Sequence, residues 1–247
     1  MSPGKDRIED YDYDLPGELI AQEPPAERGT SRLLVLHRSD ASREHRQFTE
    51  ITELLRAGDL LVLNETRVFP ARVRIVRSGG GSGELLLLER VESSNHWYAI
   101  GKPGRALQPG RTLNVDGDPA TVHVVARRAE LVELEFRAGD RPLDESEVLA
   151  MCERVGEVPL PPYIKRELGG AAEDRERYQT VYARQTGSAA APTAGMHFSE
   201  SILARLRERG VEVATVCLHV GLGTFQPLTP EKLERAELHE ELSHIHI

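Results

Sequence analysis

The stretch from residue 68 to residue 136 constrains the fold most, because six short segments with the composition of β-strands follow one another there. The segments are rich in Val, Leu and aromatic residues, and clusters of Gly, Pro, Asp and Asn separate them. Six strands in succession predict an antiparallel meander. We expect it to close into a small barrel, because closure leaves no unpaired edge strand. The six segments are residues 68–77, 84–91, 96–100, 112–115, 120–126 and 131–136.

Helix and strand patterns are mixed on both sides of this block. Residues 32–37 and 211–220 are apolar runs of strand length. Residues 144–154 begin with acidic side chains and end before Gly156, which predicts a helix, and a further helix begins at the N-cap Ser199.

This arrangement predicts an α/β fold with an insertion. The expected architecture is a split mixed α/β domain with an inserted small antiparallel β-barrel. The split domain comprises residues 1–66 and 141–247, and the barrel comprises residues 67–140.

Two helices and a strand are also predicted before the barrel. A proline near the first position predicts a helix over residues 17–22. Residues 48–55 place their apolar side chains on one helical face, with Gly58 as the C-cap. The apolar run 59–63 predicts a buried strand that delivers the polar residues 64–67 to a loop.

The charge distribution excludes one class of nucleic-acid-binding protein. With 31 basic and 40 acidic residues the net charge is -9, which argues against a protein that coats nucleic acid by bulk electrostatics. Residues 60–128 nevertheless contain 10 basic and 6 acidic side chains, an excess of 10 − 6 = 4. That excess indicates either a local site for a polyanion or the ordinary surface of half-exposed strands.

No feature indicates a membrane or an oxidising compartment. No apolar run approaches the roughly 18 residues of a spanning helix, and the acidic amino end lacks the apolar part of a secretory signal. Cys152 and Cys217 are too far apart in sequence to suggest a disulfide framework or a metal site. We therefore expect a cytoplasmic protein with no membrane contact and no metal ion.

The stretch from residue 187 to residue 199 is the most informative about chemistry. It joins an extended segment to the helix after Ser199 through small residues, which let a ligand approach the backbone. His197 can transfer protons, and Phe198 can stack on a base. A tight strand-to-helix connection without a ligand fits the same residues, so both interpretations stay open.

Two further clusters combine polar and rigid residues. His219 lies at the end of the predicted strand 211–220, where α/β sheets often bind ligands, although such a histidine is more often simply packed. In residues 159–166, prolines precede Lys165 and Arg166 and can hold them in place as phosphate contacts, although an ordinary charged loop has the same composition.

Six motifs follow one another along the chain: residues 12–24, 58–72, 159–166, 174–183, 187–198 and 218–227. Taken together in this order, they resemble the S-adenosylmethionine:tRNA ribosyltransferase-isomerases of queuosine biosynthesis. The resemblance implies a split α/β domain with an inserted β-barrel. It also implies that S-adenosylmethionine, as co-substrate, donates its ribosyl part to a 7-aminomethyl-7-deazaguanine at the wobble position of tRNA. The products are epoxyqueuosine, adenine and methionine.

The carboxyl end departs from the family pattern. Where the family has a His-x-Met-His-x-Glu run, residues 236–241 read Ala-Glu-Leu-His-Glu-Glu and keep only the second His and the Glu. Family members continue further. The resemblance therefore implies a chain truncated at its C-terminus, with an α/β domain that is incomplete there.

Site residues are inferred from residue type and motif membership. The candidate catalytic residues are His197, which is the preferred base, and His219. The candidate substrate-binding residues are Asn64, Thr66, Arg67, Tyr178, Gln179, Thr180, Thr193, Gly195, Phe198, Gly221, Gly223 and Thr224. The candidate tRNA-binding residues are Arg72, Arg74, Lys165 and Arg166.

Two other functions remain to be distinguished from ribosyl transfer. An S-adenosylmethionine-dependent RNA methyltransferase would use the same kinds of substrate, but the sequence lacks a glycine-rich first loop. A catalytically incomplete tRNA-binding fragment is the alternative outside enzymes. In each case we expect a monomer that binds tRNA and has no tightly bound cofactor.

Overall fold

The computed structural model describes residues 7–77, 79–166, 173–221, 229, 230, 233 and 242–244 of the chain. In these residues the fold is mixed α/β, with one large sheet, three small ones and few helices. The strands are β1 (Arg32–Leu36), β2 (Arg43–Gln47), β3 (Leu60–Asn64), β4 (Thr66–Val68), β5 (Arg72–Val76), β6 (Ser82–Arg90), β7 (His96–Lys102), β8 (Thr112–Val115), β9 (Thr121–Arg128), β10 (Leu131–Ala138), β11 (Arg141–Pro142), β12 (Gln185–Ser188), β13 (Glu212–His219) and β14 (Leu242–His244). The α-helices are α1 (Ile51–Leu54), α2 (Glu145–Val155), α3 (Asp174–Arg177) and α4 (Glu200–Glu208).

The large sheet contains all six predicted strand segments, with shifted ends. Its order is β11-β10-β7-β6-β5-β8-β9, every pairing is antiparallel, and β9 also pairs with β10. The strands form where apolar and polar side chains alternate along the sequence. On β5 the side chains of Val73 and Ile75 are buried, whereas Arg72 and Arg74 are half-buried on the other face.

Helix α2 packs against this sheet. Its N-cap is Asp144, whose side chain accepts a hydrogen bond from the Glu147 backbone N–H at 2.9 Å. Met151 and Cys152 are buried among the core side chains of the sheet, and burial raises the pKa of the Cys152 thiol to about 12. The helix ends at Gly156, where a Cβ atom would lie 2.0 Å from the carbonyl oxygen of Pro70.

A second core forms between α4 and a small sheet. Strand β13 pairs in parallel with β3 on one edge and antiparallel with β14 on the other. The apolar face of α4 packs against Phe48 and Leu63. Ser199 caps this helix as predicted, its Oγ accepting from the Ile202 N–H at 3.3 Å, and Gly210 follows with a φ of +83°.

Both predicted helices in the first 60 residues are wrong in extent. Residues 17–22 form only a single 3-10 turn, Gly17–Leu19, because no core covers it: Leu19 is 70% exposed. Phe48–Glu50 is a 3-10 turn that leads into α1, and Leu55 is already extended. Gly58 has a φ of +88°, but it serves the turn into β3 rather than a helix cap.

The prediction of a buried strand followed by a loop is also wrong. The alternate residues Leu60 and Val62 of β3 are 58% and 53% exposed, because α4 covers only one face of the strand in the described part of the chain. Most of β13 is likewise only half-buried. After Glu65 the chain forms β4, which pairs in parallel with β12, instead of a loop.

Some predicted features lie outside the described residues. These include Gly223, Thr224 and the run 236–241. Within the described residues, no helix is long and apolar enough to cross a membrane.

Candidate active site

Four segments of the chain surround a cavity of about 390 Å³. They are residues 21–31, 160–166, 174–178 and 193–197, and His197 lies in the last of them. The volume is within the usual range of small-molecule sites.

His197 ends the 3-10 turn Thr193–His197, which lies between Pro192 and the buried Phe198. Its side chain is exposed and lines the cavity, and its ring centroid lies 5.3 Å from that of Phe48. Phe198 packs edge-on against the same Phe48 ring at 5.0 Å. The core therefore holds the turn and one face of the imidazole. Phe198 itself is buried, which corrects the expectation that it offers a stacking face to a base.

Arg28 and Gly29 pack beneath this turn and support it, and no sequence pattern identified them as site residues. The Arg28 guanidinium donates hydrogen bonds to the backbone oxygens of Met196 at 3.0 Å, Glu176 at 3.1 Å and Arg177 at 3.2 Å. Burial, and then the nearby charge of Arg177, lower the pKa of Arg28. Gly29 has a φ of +89°, and a Cβ atom there would lie 2.7 Å from Cδ1 of Ile202 in α4.

Arg166 is committed to an internal ion pair. Its guanidinium donates to both carboxylate oxygens of Asp174, at 2.9 and 3.0 Å, and to the Gln22 backbone oxygen at 2.9 Å. The hydrogen bonds that Arg166 donates to Asp174 raise the pKa of Arg166. This side chain therefore joins three walls of the cavity and is less available to a phosphate than predicted, whereas the Lys165 side chain is exposed.

Tyr178, Gln179 and Thr180 follow α3 but face different surroundings. Tyr178 lines the cavity and is otherwise buried, and that burial raises the pKa of its hydroxyl. The Gln179 side chain accepts from the Val68 N–H at 3.1 Å and donates to the Val68 oxygen at 2.6 Å, so its amide is used in the fold. Thr180 is buried, and its Oγ1 has no hydrogen-bond partner among the described residues.

Gly195 lies where the turn comes closest to the Tyr182 hydroxyl. A Cβ atom on Gly195 would lie 2.2 Å from that oxygen and 3.0 Å from Cγ2 of Thr180. Burial raises the pKa of Tyr182 to about 12. Glycine is required here because the backbone directly contacts a side chain.

His219 belongs to a second cluster and is not among the residues that line the cavity. Its Nδ1 lies 2.7 Å from Oγ1 of the buried Thr66, and its Nε2 lies 3.8 Å from Sγ of Cys217. A Cβ atom on Gly187 would lie 2.7 Å from Cε1 of the ring. His197 therefore lines the cavity, whereas His219 lies in a separate cluster beside Thr66 and Cys217.

Asn64 holds the strands of this second cluster together. Its Nδ2 donates to the Leu218 oxygen at 2.9 Å, and its Oδ1 accepts from the backbone N–H groups of Leu218 and Thr66 at 3.0 and 3.1 Å. These bonds occupy the polar atoms with which Asn64 was expected to bind the substrate. Gly221 is half-buried just beyond β13.

The predicted tRNA-binding cations of the large sheet are partly paired. Arg74 lies 2.5 Å from a carboxylate oxygen of Glu157, and Arg72 lies 3.8 Å from one of Glu84. Arg67, on β4, is exposed. No group of three potential metal-ligating side chains occurs in the part of the chain that the structure describes.

Comparison with known proteins defines the family. A model of the family described as "Queuosine biosynthesis protein" matches residues 8–247, so the chain belongs to that family. The S-adenosylmethionine:tRNA ribosyltransferase-isomerase of Symbiobacterium thermophilum is 46% identical over 243 residues, which is 97% of this chain and 67% of the relative. The protein of the same name from Solibacter usitatus is 44% identical over 252 residues, 95% of this chain and 69% of the relative.

A crystal structure of an S-adenosylmethionine tRNA ribosyltransferase from Thermotoga maritima is also similar. It is 33% identical, with 86% of this chain and 58% of that chain covered and a TM-score of 0.34. The chain spans about two thirds of the length of the curated relatives it matches. Family membership confirms the resemblance drawn from the six motifs.

Proposed function

We propose that the protein is an S-adenosylmethionine:tRNA ribosyltransferase-isomerase. It transfers and isomerises the ribosyl part of S-adenosylmethionine onto 7-aminomethyl-7-deazaguanine at the tRNA wobble position, with release of adenine and methionine. The observation that carries the proposal is the convergence of four family motifs, residues 12–24, 159–166, 174–183 and 187–198, on one cavity. Membership of the family supports the same reaction.

The reaction needs a base that removes a proton from the carbon next to the sulfonium sulfur. We assign this role to His197, because its imidazole is exposed, lines the cavity and is supported by Phe48 on one face. His219 is the second candidate. Its contact with Thr66 fixes one ring nitrogen, which supports a positioned imidazole but does not bring it to the cavity.

The methionine carboxylate of the co-substrate needs a cationic partner. Arg28, Arg166 and Arg177 line the cavity, whereas Arg67 is not among its lining residues. We therefore assign carboxylate binding to Arg28 and Arg177 and not to Arg67, because Arg166 is already paired with Asp174. Tyr178 and Thr193, which also line the cavity, supply hydroxyl groups to the rest of the ligand.

We propose that the exposed cations beside the cavity and on the large sheet bind the phosphate backbone of the tRNA. Lys165 is exposed next to the cavity wall, and Arg72 and Arg74 retain partial exposure on β5. The pairing of β9 with β10 supports a closed small barrel, residues 67–140, inserted between the two parts of an α/β domain. We further propose that the protein is a cytoplasmic monomer without a tightly bound cofactor.

A single-turnover assay tests this function. Purified protein is mixed with S-adenosylmethionine and a tRNA that carries the 7-aminomethyl-7-deazaguanine, and adenine, methionine and S-adenosylhomocysteine are quantified. Adenine and methionine in equal amounts are expected. S-adenosylhomocysteine would indicate a methyltransferase instead, and tRNA binding without any product would leave only a binding function.

His197→Ala, compared with His219→Ala, tests the assignment of the base. His197→Ala should abolish adenine release without lowering the melting temperature, because its exposed side chain contributes little to the core. Full release by His197→Ala with loss of release by His219→Ala would transfer the role to His219.

A further inference from the structure

Tyr163 is both exposed and part of the cavity wall. Its side chain is 55% exposed, yet it lines the cavity. Tyr178, the other tyrosine among the lining residues, is buried. An exposed aromatic ring beside a ligand cavity is available for contact with part of a ligand that extends into solvent.

The backbone that carries this ring is held in place by one side chain, that of Gln22. Its Nε2 donates to the Tyr163 oxygen at 3.0 Å, and its Oε1 accepts from the Lys165 N–H at 2.8 Å. The Ile164 N–H closes the turn onto Pro161 at 3.0 Å. A ring on a support of this kind loses little conformational entropy when a ligand stacks on it.

The surroundings of Tyr163 favour a flat ligand that is attached to an anion. Prolines and aliphatic side chains form the adjacent wall: Pro24, Pro25, Leu160, Pro161 and Ile164. Three arginines and two carboxylates line the cavity, and one of the carboxylates, Asp174, is already paired with Arg166. An aromatic face, apolar walls and excess positive charge are the combination that binds unpaired nucleotides.

We propose that Tyr163 is a stacking platform for the target nucleobase of the RNA when that base leaves the anticodon stack and enters the cavity. The proposal rests on the proposed function and names how the same site receives its RNA substrate. An enzyme that modifies a base must expose it, and a stacking surface at the entrance offsets the loss of stacking within the RNA.

Binding of two anticodon stem–loop RNAs tests the proposal. One has an unmodified guanine at the wobble position, so that no reaction occurs, and the other is abasic there. By fluorescence anisotropy, Tyr163→Ala should weaken binding of the guanine RNA about tenfold and leave the abasic RNA unchanged. Tyr163→Phe should bind like the wild type. The control is Tyr13→Ala, because Tyr13 is 72% exposed and is not among the lining residues.

Three results would overturn the proposal. The first is an unchanged affinity of Tyr163→Ala for the guanine RNA. The second is an equal weakening of its binding to both RNAs. The third is a rise in the KM of Tyr163→Ala for S-adenosylmethionine without any change in RNA affinity. Tyr163→Leu, which retains bulk, replaces Tyr163→Ala if a thermal melt shows unfolding. Because these RNAs bind without turnover, failure of the proposed function would appear separately, as wild-type protein that binds the guanine RNA more tightly than the abasic RNA but releases no adenine in the single-turnover assay with the precursor-containing tRNA.

Discussion

Oγ1 of Thr66 lies 2.7 Å from Nδ1 of His219, and this contact joins two sheets that share no strand. Thr66 is on β4, which pairs with β12, whereas His219 ends β13, which pairs with β3 and β14. The hydroxyl is fully buried. The contact therefore fixes both the relative position of the strands and the orientation of the imidazole.

Thr66→Val should destabilise the protein by about 1 kcal/mol, because it removes a buried hydrogen bond while keeping the shape of the side chain. Urea unfolding measures the effect, and Thr66→Ser is the control that retains the hydroxyl. If His219 takes part in catalysis, Thr66→Val also lowers kcat for adenine release without changing the KM for tRNA. A loss of stability with normal kcat would show that the contact serves only the fold.

Gly187→Ala tests the other side of the same ring. The added Cβ would lie 2.7 Å from Cε1 and 2.8 Å from Nε2 of His219, so the imidazole must move. We expect a loss of about 1–3 kcal/mol in the free energy of unfolding, as for other overpacked sites. Gly17→Ala is the matched control, since a Cβ there meets no atom within 4 Å and its φ is not positive. Equal stability of the two variants would contradict the packing described.

The sequence predicted best the elements whose own residues define them. The strands of the large sheet alternate buried and exposed side chains, and α2 and α4 carry the caps Asp144 and Ser199. Prediction failed where tertiary contacts determine the length of a helix or the burial of a strand. The stretch 17–22 has no core to cover it, and the outer face of β3 stays exposed although its sequence is continuously apolar.

The same distinction applies to the candidate site. His197 could be singled out because an imidazole in a glycine-bearing loop is a visible signal. Arg28 and Gln22 could not, because they act on backbone groups 168 and 141 residues away in sequence, and no local pattern marks such contacts. Asn64 was predicted to bind the substrate, but the structure shows its amide bonded to backbone groups of β4 and β13.

Glu147 should make the stability of α2 depend on acid pH. Its two oxygens accept hydrogen bonds from Arg141 at 2.7 and 2.8 Å, and one also accepts from the Asp144 N–H at 3.0 Å. The bond with Arg141 and then the one with Asp144 lower the pKa of Glu147 from 4.5 to about 2. A lowered folded-state pKa stabilises the protein above the unfolded-state value, and this contribution is lost as the pH falls toward the folded-state value.

Glu147→Gln should therefore be less stable than the wild type at about pH 5, and the difference should shrink as the pH approaches about 2. Urea midpoints of both proteins across this range measure the effect. Glu92→Gln serves as a control, since Glu92 is outside the capping box of α2. A difference that stays constant with pH would show that the charge of Glu147 does not contribute.

Gly195→Ala should disturb the turn that carries His197, and Tyr182→Phe should partly rescue it. The added Cβ would lie 2.2 Å from the Tyr182 hydroxyl oxygen but 3.3 Å from Cζ, so removing the hydroxyl relieves the worst overlap and leaves the contact with Thr180 at 3.0 Å. We expect the single substitution to cost about 1–3 kcal/mol and to reduce adenine release. In the double variant, the free energy of unfolding and the rate of adenine release should both be higher than the sum of the two single effects predicts. Thermal unfolding and single-turnover assays of all four proteins complete the cycle, and strictly additive effects would show that Gly195 and Tyr182 are not in contact.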